Sequence, residues 1–166
     1  MSTYYHTIDT PLGCLTLYAT DSALTAILYQ HQTPTVETAL YSPQHPLLTE
    51  CELQLQQYFA GIRHQFNLPL APQGTDFQQR VWQALQTIPY GCHWSYQQLA
   101  ITIGNPKACQ AVGMANSKNP LSIVIPCHRV IGKNGKLTGY AGGLDNKQTL
   151  LALEAANVQF QPISQI

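Results

Sequence analysis

The sequence predicts an α+β fold in two parts, a sheet-and-helix part over residues 1–71 and a helical part over residues 72–166. The first observation is a change of pattern. The N-terminal residues alternate β-branched and aromatic side chains between turn signals, whereas short helical patterns begin near residue 75. The second is the segment between them, "NLPLAPQGT" at 67–75, whose proline and glycine content is typical of a linker. With 45% hydrophobic residues in 166, the chain can bury a real core.

The N-terminal part predicts a meander of two or three strands followed by one helix. In "YYHTIDTPLGCLTLYATDSALTAILY", residues 4–29, the stretches "TPLG" and "TDSA" are turn signals between strand-like runs. In "LLTECELQLQQYFAG" the apolar residues approximate a helical stripe around 47 to 60, and Gly61 is a plausible stop.

The C-terminal part predicts a series of short helices. Thr75 or Asp76 can cap "TDFQQRVWQALQTI", and Ser95 can cap "SYQQLAITIG", which Gly104 ends. A further helix starts in "NPKACQAVGMANSKNP", with Pro106 near its first turn. The last two helices are a candidate helix-turn-helix, although many helical hairpins of this kind bind nothing.

The second helix of this pair has a surface of small residues. Beyond Gln110 and Asn116, little in it could read bases, because the others include Ala108, Ala111 and Gly113. Small side chains let a helix backbone approach a narrow groove closely. Tight packing against a neighbouring helix explains the same residues equally well.

The net charge of zero conceals two halves of opposite sign. Residues 1–71 carry Arg63 against five acidic residues, one of them Glu37, a net charge of −4, while residues 72–166 carry seven basic and three acidic residues, a net charge of +4. The C-terminal half is therefore the electrostatic candidate for a polyanion partner. No apolar run approaches the roughly 20 residues of a membrane span, and "MSTYYHTIDT" lacks signal-peptide features, so we expect a soluble, cytoplasmic protein with no membrane partner.

The five cysteines are scattered, with no CxxC spacing, so neither a disulfide framework nor a zinc site is expected. One of them stands in an unusual place. In "SIVIPCHRVIG", residues 122–132, an apolar run that predicts a buried strand is followed directly by Cys127, His128 and Arg129. A thiol needs a base to become a nucleophile, and His128 could serve, oriented by Glu154, the only glutamate of the C-terminal half. Spacing alone favours the simpler alternative, a buried Cys127 and a His128 that caps a strand end.

The stretch "IPCHRVIG", with "GNPKACQAVGMANSKNP" before it and "GYAGGLDNKQTLLALE" after it, closely resembles the O6-alkylguanine-DNA alkyltransferases, the methylated-DNA–protein-cysteine methyltransferases. The match covers about residues 74 to 155 almost continuously, and "IDTPLGCLTLYATDSALTAILY" resembles the family more loosely. The resemblance implies a ribonuclease-H-like N-terminal domain and a winged-helix-like C-terminal domain. It also implies irreversible, single-turnover transfer of an alkyl group from O6-alkylguanine in DNA to Cys127. O4-alkylthymine is a second candidate substrate.

The resemblance also implies roles for particular residues. Cys127 would be the nucleophile, His128 the base acting through a bridging water, and Glu154 the residue that holds the imidazole. Asn119 would brace the turn and active-site network, and Tyr96 would donate toward guanine N3.

The implied guanine pocket uses mostly backbone groups. The carbonyls of Cys127 and Val130 would accept from the guanine amino group, and the N–H of Ala141 would donate toward O6. Tyr140 would form a pocket wall, and Lys147 lies where the family keeps a lysine near the site. The damaged nucleotide would be flipped out of the duplex with the helix in the minor groove. The residues expected to contact DNA are Lys107, Ala108, Gln110, Ala111, Gly113, Met114 and Arg129.

Two departures from the family accompany these matches. The family usually has an arginine at position 110, where it replaces the flipped base in the stack, and this chain has Gln110. The N-terminal half lacks the cysteine and histidine set that binds zinc in some relatives, so we expect no metal. We also expect no cofactor and a monomer. Two other functions stay open: a protein that recognises alkylated DNA without efficient transfer, and a thiol-redox or cysteine hydrolase domain.

Overall fold

The computed structural model describes residues 1–34 and 38–163, so Glu37 of the acidic half lies outside the described residues. Two compact units are present, one formed by residues 1–34, 38–73 and 159–163, the other by Gly74–Val158. The sequence division placed residues 159–163 with the helical part. They pack with the first unit instead, where the Ile163 N–H donates to the Ile62 carbonyl over 2.9 Å.

The first unit is a four-stranded sheet with one helix. The strands lie in the order β3-β2-β1-β4, with β1 antiparallel to β2, β2 antiparallel to β3, and β4 parallel to β1. Their bounds are Thr3–Thr10 for β1, Gly13–Ala19 for β2, Leu24–Tyr29 for β3 and Ala39–Tyr41 for β4, and helix α1 spans Pro46–Phe59. The meander and the helix are confirmed. Strand β4 was not predicted, because three residues are too few for a periodic pattern.

The core of the first unit forms between the sheet and α1. On β2, Leu15 and Leu17 are fully buried, as expected for alternate residues that point to one face of a sheet. On α1, Leu48, Cys51 and Leu55 are equally buried, at the spacing of one helical face that packs on β1 and β2. Burial of such side chains contributes about 1.5–3 kcal/mol each relative to exposure.

The second unit is mainly helical. Its elements are α2 (Asp76–Leu85), β5 (Trp94–Ser95), α3 (Tyr96–Thr102), α4 (Cys109–Ser117), β6 (Val130–Ile131) and α5 (Leu144–Asn157). Thr75 and Ser95 each cap their helix through a reciprocal capping box, with Gln78 and Gln98 as the respective partners. The predicted α+β class and the pair of short helices, α3 and α4, are therefore confirmed.

Packing between α2 and α4 fixes the position of the helix pair. Trp82 of α2 is almost fully buried, and its indole N–H donates to the Ala115 carbonyl of α4 over 2.9 Å. Any side chain at Gly74 would clash with the same indole, at 2.4 Å from its ring. No helix in the described part of the chain has both the length and the apolarity needed to cross a membrane.

Two sequence expectations in this unit are wrong. Helix α4 begins at Cys109, and Pro106 lies before it in a turn. The run at 122–125, predicted to be a buried strand, is buried but folds into consecutive turns, with Ile123 at a φ of 75°. A β-branched residue rarely adopts this left-handed region, which costs about 1–3 kcal/mol, so the surrounding contacts must hold it there.

Candidate active site

The Cys127–Arg129 turn is a short 3₁₀ helix within a stretch, residues 121–130, that is buried throughout. Asn119 spans the turns before it: its amide donates to the Ile125 carbonyl over 2.8 Å, and its side-chain oxygen accepts from the Leu121 N–H over 3.0 Å. The Cys127 N–H donates back to the same Ile125 carbonyl over 2.8 Å. The hydrogen bonds of the Asn119 side chain take the place of the strand-to-strand hydrogen bonds of a sheet, and they fix the backbone that carries the Cys127 thiol.

Helix α5 brings Glu154 to His128, 26 residues away in sequence. His128 Nε2 lies 2.7 Å from Glu154 Oε2, and both side chains are almost completely buried. An ionised carboxylate can only accept, so Nε2 carries the proton, and the neutral ring then presents Nδ1 as an acceptor. Among the described residues, Nδ1 is buried and has no hydrogen-bond partner. The ring is thus oriented with its basic nitrogen unused.

Arg129 is not where the sequence analysis placed it. Its guanidinium is buried and donates two hydrogen bonds to Glu154, from Nε to Oε1 over 2.8 Å and from an NH2 nitrogen to Oε2 over 2.9 Å. A third bond goes to the Ile88 carbonyl over 2.7 Å, and the ring of Tyr90 lies 5.6 Å from the guanidinium. The expected contact of Arg129 with DNA is therefore wrong: its side chain is buried, with two N–H groups that orient the Glu154 carboxylate and a third that binds the Ile88 carbonyl.

The pKa values of Glu154 and His128 both lie below their ordinary values, but for different reasons. Burial alone would raise the pKa of Glu154, but the hydrogen bonds and positive charges of His128 and Arg129 hold that pKa well below its ordinary value. Burial lowers the pKa of His128, against the opposing effect of Glu154. At neutral pH the carboxylate is therefore charged and the imidazole neutral, which is the state that can accept a proton.

The thiol itself is protonated in the resting protein. Burial raises the pKa of Cys127 to about 11, even though a hydrogen bond from Asn119 and the charge of Lys147 act to lower it. Burial also lowers the pKa of Lys147 to about 8. A thiol of this kind does not ionise by itself at neutral pH, so its activation requires a base close by.

Lys147 ties together the backbone around the thiol. Its Nζ donates to the Val130 carbonyl over 2.6 Å and to the Thr138 carbonyl over 2.8 Å. The Cys127 carbonyl accepts from the Asn116 amide over 3.4 Å. Both carbonyls expected to bind guanine are thus already engaged: that of Val130 accepts from Lys147, and that of Cys127 accepts from Asn116 and from the Val130 N–H. Tyr140 is buried and Ala141 half-buried in the following segment.

Tyr96, the first residue of α3, lies between α4 and the segment after β6. Its hydroxyl is 2.8 Å from Thr138 Oγ1. A Cβ added to Gly113 of α4 would stand 3.7 Å from its ring carbons, so only a small residue there lets the helix pack this closely. Gly113 therefore faces Tyr96. From the sequence, Gly113 was expected among the DNA contacts.

Four of the remaining expected DNA contacts lie together with Lys118 on an exposed surface, which we call the α4 face and define as Lys107, Gln110, Ala111, Met114 and Lys118. Spacings of three and four residues put side chains on one side of a helix. The opposite side holds the buried Val112, Ala115 and Asn116. The packing alternative is thus confirmed for one side of this helix, while the other side is exposed and its approach to a groove stays a prediction. Ala108 is half-buried at the start of the helix.

Two contributors to the site were not expected from the sequence: Thr138 and the backbone N–H of Gly91, which donates to Glu154 Oε1 over 3.2 Å. A third, Asn116, was expected only as a residue that could read bases, but its side chain is buried and donates to the Cys127 carbonyl. Only the resemblance to a family could have placed them, since their roles arise from contacts between distant segments. Across residues 1–34 and 38–163, no three His, Cys, Asp or Glu side chains cluster so as to hold a metal ion.

Both parts of the chain match family models of one kind of protein. The model described as 6-O-methylguanine DNA methyltransferase, ribonuclease-like domain, matches residues 3–72, and that described as 6-O-methylguanine DNA methyltransferase, DNA binding domain, matches residues 76–156. The second match covers the unit that contains the buried Cys127, the oriented His128 and the two short helices α3 and α4. The chain belongs to the methylated-DNA–protein-cysteine methyltransferase family.

Individual relatives are similar over nearly the whole length. A methylated-DNA–protein-cysteine methyltransferase of Mycolicibacterium paratuberculosis is 51% identical over 150 residues, 90% of this chain and 91% of that protein. The constitutive one of Bacillus subtilis is 48% identical, covering 91% of this chain and 94% of that protein. A crystal structure of Mycobacterium tuberculosis OGT in complex with DNA is 47% identical and has a TM-score of 0.88, covering 96% of this chain and 95% of the other.

Proposed function

We propose that this protein repairs DNA by direct reversal, moving the alkyl group from O6-alkylguanine to Cys127 once per molecule. The observation that carries this proposal is the buried Cys127–His128–Glu154 arrangement in a chain of this family. In the reaction the Sγ–carbon bond forms as the carbon–O6 bond breaks. The electron pair of the broken bond stays on guanine, and the thioether product has no leaving group that would regenerate the thiol.

His128 takes the thiol proton in this proposal. Its Nδ1 is the unprotonated ring nitrogen and can accept a proton. A water molecule between Nδ1 and the Cys127 Sγ would carry that proton. Glu154, held by Arg129 and the Gly91 N–H, stabilises the imidazolium that results. A protonated thiol suits this role, because it is unreactive until a substrate is bound.

Binding of the base uses the groups around Lys147 and Tyr96. The carbonyls of Cys127 and Val130 accept from the guanine amino group in addition to the protein donors they already have, and the Ala141 N–H donates toward O6. Tyr140 forms a wall of the pocket. Tyr96 donates toward guanine N3 and so reduces the negative charge of the leaving base.

The DNA partner is double-stranded and contacts the α4 face. Cys127 lies in a fully buried stretch, so an alkylated base within a duplex reaches it only after extrusion from the stack, at a cost of a few kcal/mol. Small residues such as Ala111 let α4 enter a minor groove, and a relative of high similarity has been crystallised with DNA. We also propose that the two units are separate domains and that the protein acts in the cytoplasm.

Intact-protein mass measured after exposure to duplex DNA with one O6-methylguanine tests the function. We expect a gain of one methyl group per molecule, mapped to Cys127, with no further gain on longer exposure. A protein that binds this DNA but never gains mass is a recognition protein, the alternative that Gln110 suggests. Repeated turnover by a substoichiometric amount of protein, or methylation of another cysteine, contradicts the proposal.

A further inference from the structure

Two hydroxyl groups meet in the second unit, that of Tyr96 and that of Thr138, with their oxygens 2.8 Å apart. Each hydroxyl has one proton and can accept as well as donate. If Tyr96 donates to Thr138, its only proton is used within the protein. If Thr138 donates to Tyr96, the phenolic proton is free for a bound base. The direction of this one bond therefore decides whether Tyr96 can act on substrate.

Thr138 is held in place by contacts on three sides. Its carbonyl accepts from Lys147 Nζ over 2.8 Å, which fixes the backbone. Its methyl group lies against Gly132, where an added Cβ would stand only 3.1 Å from Thr138 Cγ2. Its hydroxyl meets Tyr96, whose ring is covered by Gly113 of α4. Both hydroxyls are thus presented in a fixed geometry, and only the protons between them are free to reorient.

We propose that Thr138 is a positioning residue for alkyl transfer: when a base fills the pocket, its hydroxyl donates to Tyr96 and directs the phenolic proton to guanine N3. This inference rests on the function proposed above. Hydrogen bonds in a chain polarise one another, so a Tyr96 that accepts from Thr138 is a stronger donor. As the carbon–O6 bond breaks, its electron pair stays on guanine and N3 becomes more negative, which strengthens both bonds of the chain. If the phenolic proton moves to N3, the phenolate left behind keeps the bond from Thr138.

Thr138→Val tests this role, since valine keeps the size of threonine and removes the hydroxyl. The measurement is the single-turnover rate of methyl gain on Cys127, with duplex DNA containing either O6-methylguanine or its 3-deaza analogue, which lacks the N3 acceptor. With O6-methylguanine we expect Thr138→Val to be about two- to tenfold slower than wild type, the usual range for one hydrogen bond. With the 3-deaza analogue the two proteins should react at equal rates. Thr138→Ser, which keeps the hydroxyl, should restore most of the lost rate.

The same comparison in a Tyr96→Phe background gives an independent check. Without the phenolic hydroxyl, Thr138→Val should cause no further loss. An equal loss on both substrates, or an undiminished loss beside Tyr96→Phe, would mean that Thr138 acts only through packing and would overturn the inference. So would a Thr138→Val protein that reacts as fast as wild type on O6-methylguanine. If wild-type protein gains no methyl from either DNA, the proposed function is itself wrong, and the inference is wrong with it. This outcome is distinct from the others, which compare rates of proteins that do gain the methyl.

Discussion

The centre around Cys127 is a network of buried, charged side chains, whereas the α4 face is exposed to solvent. At the centre, the carboxylate of Glu154 accepts hydrogen bonds from His128, Arg129 and the Gly91 N–H, and its side chain is almost fully buried. The α4 face consists of exposed residues, and Met114 is 62% exposed. The protein thus keeps its charged network away from water, whereas the α4 face exposes uncharged side chains between two lysines.

This difference predicts how substitutions act in each region. Removal of one partner in a buried network leaves the others unpaired, so the effects are large and not additive. Substitutions on an exposed helix face change few contacts and are usually within about 0.5 kcal/mol for stability. On this face they should therefore appear in DNA binding, not in folding.

Cys127→Ala should have the largest effect. The variant loses the nucleophile, so no methyl gain should be detectable by intact mass after exposure to O6-methylguanine DNA. Binding to the same DNA, measured by fluorescence anisotropy, should persist because the α4 face is untouched. Any residual methyl transfer would show that the acceptor lies elsewhere.

Arg129→Met should destabilise the fold strongly. It leaves Glu154 as a buried carboxylate with fewer donors, and breaking a buried ion pair in this way costs about 3–5 kcal/mol. Urea unfolding measures the loss. Arg80→Met is the matched control: the exposed guanidinium of Arg80 bonds only the Ile103 carbonyl among the described contacts, so the loss should stay below about 1 kcal/mol.

A double-mutant cycle sharpens the Arg129 prediction. Arg129→Met combined with Glu154→Gln should cost less than the sum of the two single changes, because the second change removes the charge that the first one strands. Additive losses would mean that the two side chains do not act as one unit.

The rate of methyl transfer should fall at acid pH. His128 must be neutral to accept a proton, and burial keeps its pKa below the ordinary value near 6.5, so the rate should be level above that pH and decline below it. The single-turnover rate with free O6-methylguanine, followed from pH 5 to 8, measures this without a change in DNA binding. A decline that begins above pH 7 would contradict the lowered pKa.

Stability should follow pH in the same direction. The folded-state pKa values of both His128 and Glu154 lie below their ordinary values, so the folded state binds fewer protons than the unfolded chain. Their contribution is complete above about pH 6.5 and is lost as pH falls, first through protonation of His128 and then, below about pH 4.3, of Glu154. Urea unfolding at a series of pH values measures this loss.

Local signals in the sequence predicted those parts of the fold that local interactions determine. The start of α2 depends on a capping signal within the four residues 75–78, and in the structure Thr75 caps this helix. The run at 122–125 was misassigned because a buried apolar segment looks the same as strand or turn, and the choice here depends on bonds from Asn119. Arg129 was misassigned because its partner lies 25 residues away on α5. Charge alone predicts a surface residue, and only the tertiary fold supplies the carboxylate.

Lys107→Gln should weaken DNA binding modestly and reduce its salt dependence. Each phosphate contact contributes about −0.9 to the slope of log affinity against log salt concentration, so loss of one contact should make the slope less steep by about that amount. Gln30→Glu, an exposed change of equal charge in the first unit, should leave the slope unchanged. Anisotropy titrations with undamaged duplex at several salt concentrations compare the two. An equal effect of both variants would mean that overall charge, not the α4 face, determines binding.

Gln110→Arg should have the smallest effect, and it should be a gain. Gln110 is exposed on the α4 face, at the position where the family usually has an arginine that fills the gap left by the flipped base. Glutamine can hydrogen-bond there but has a shorter reach and no charge, so extrusion of the base from the duplex should cost more in this protein. The variant should therefore repair duplex O6-methylguanine a few-fold faster, about 1 kcal/mol of barrier, while its reaction with the free base stays nearly unchanged. Ser117→Arg adds the same charge about 10 Å further along α4 and separates stack filling from general attraction to phosphates. If Ser117→Arg accelerates duplex repair as much as Gln110→Arg, charge is the cause, and if Gln110→Arg speeds both substrates equally, residue 110 does not enter the stack.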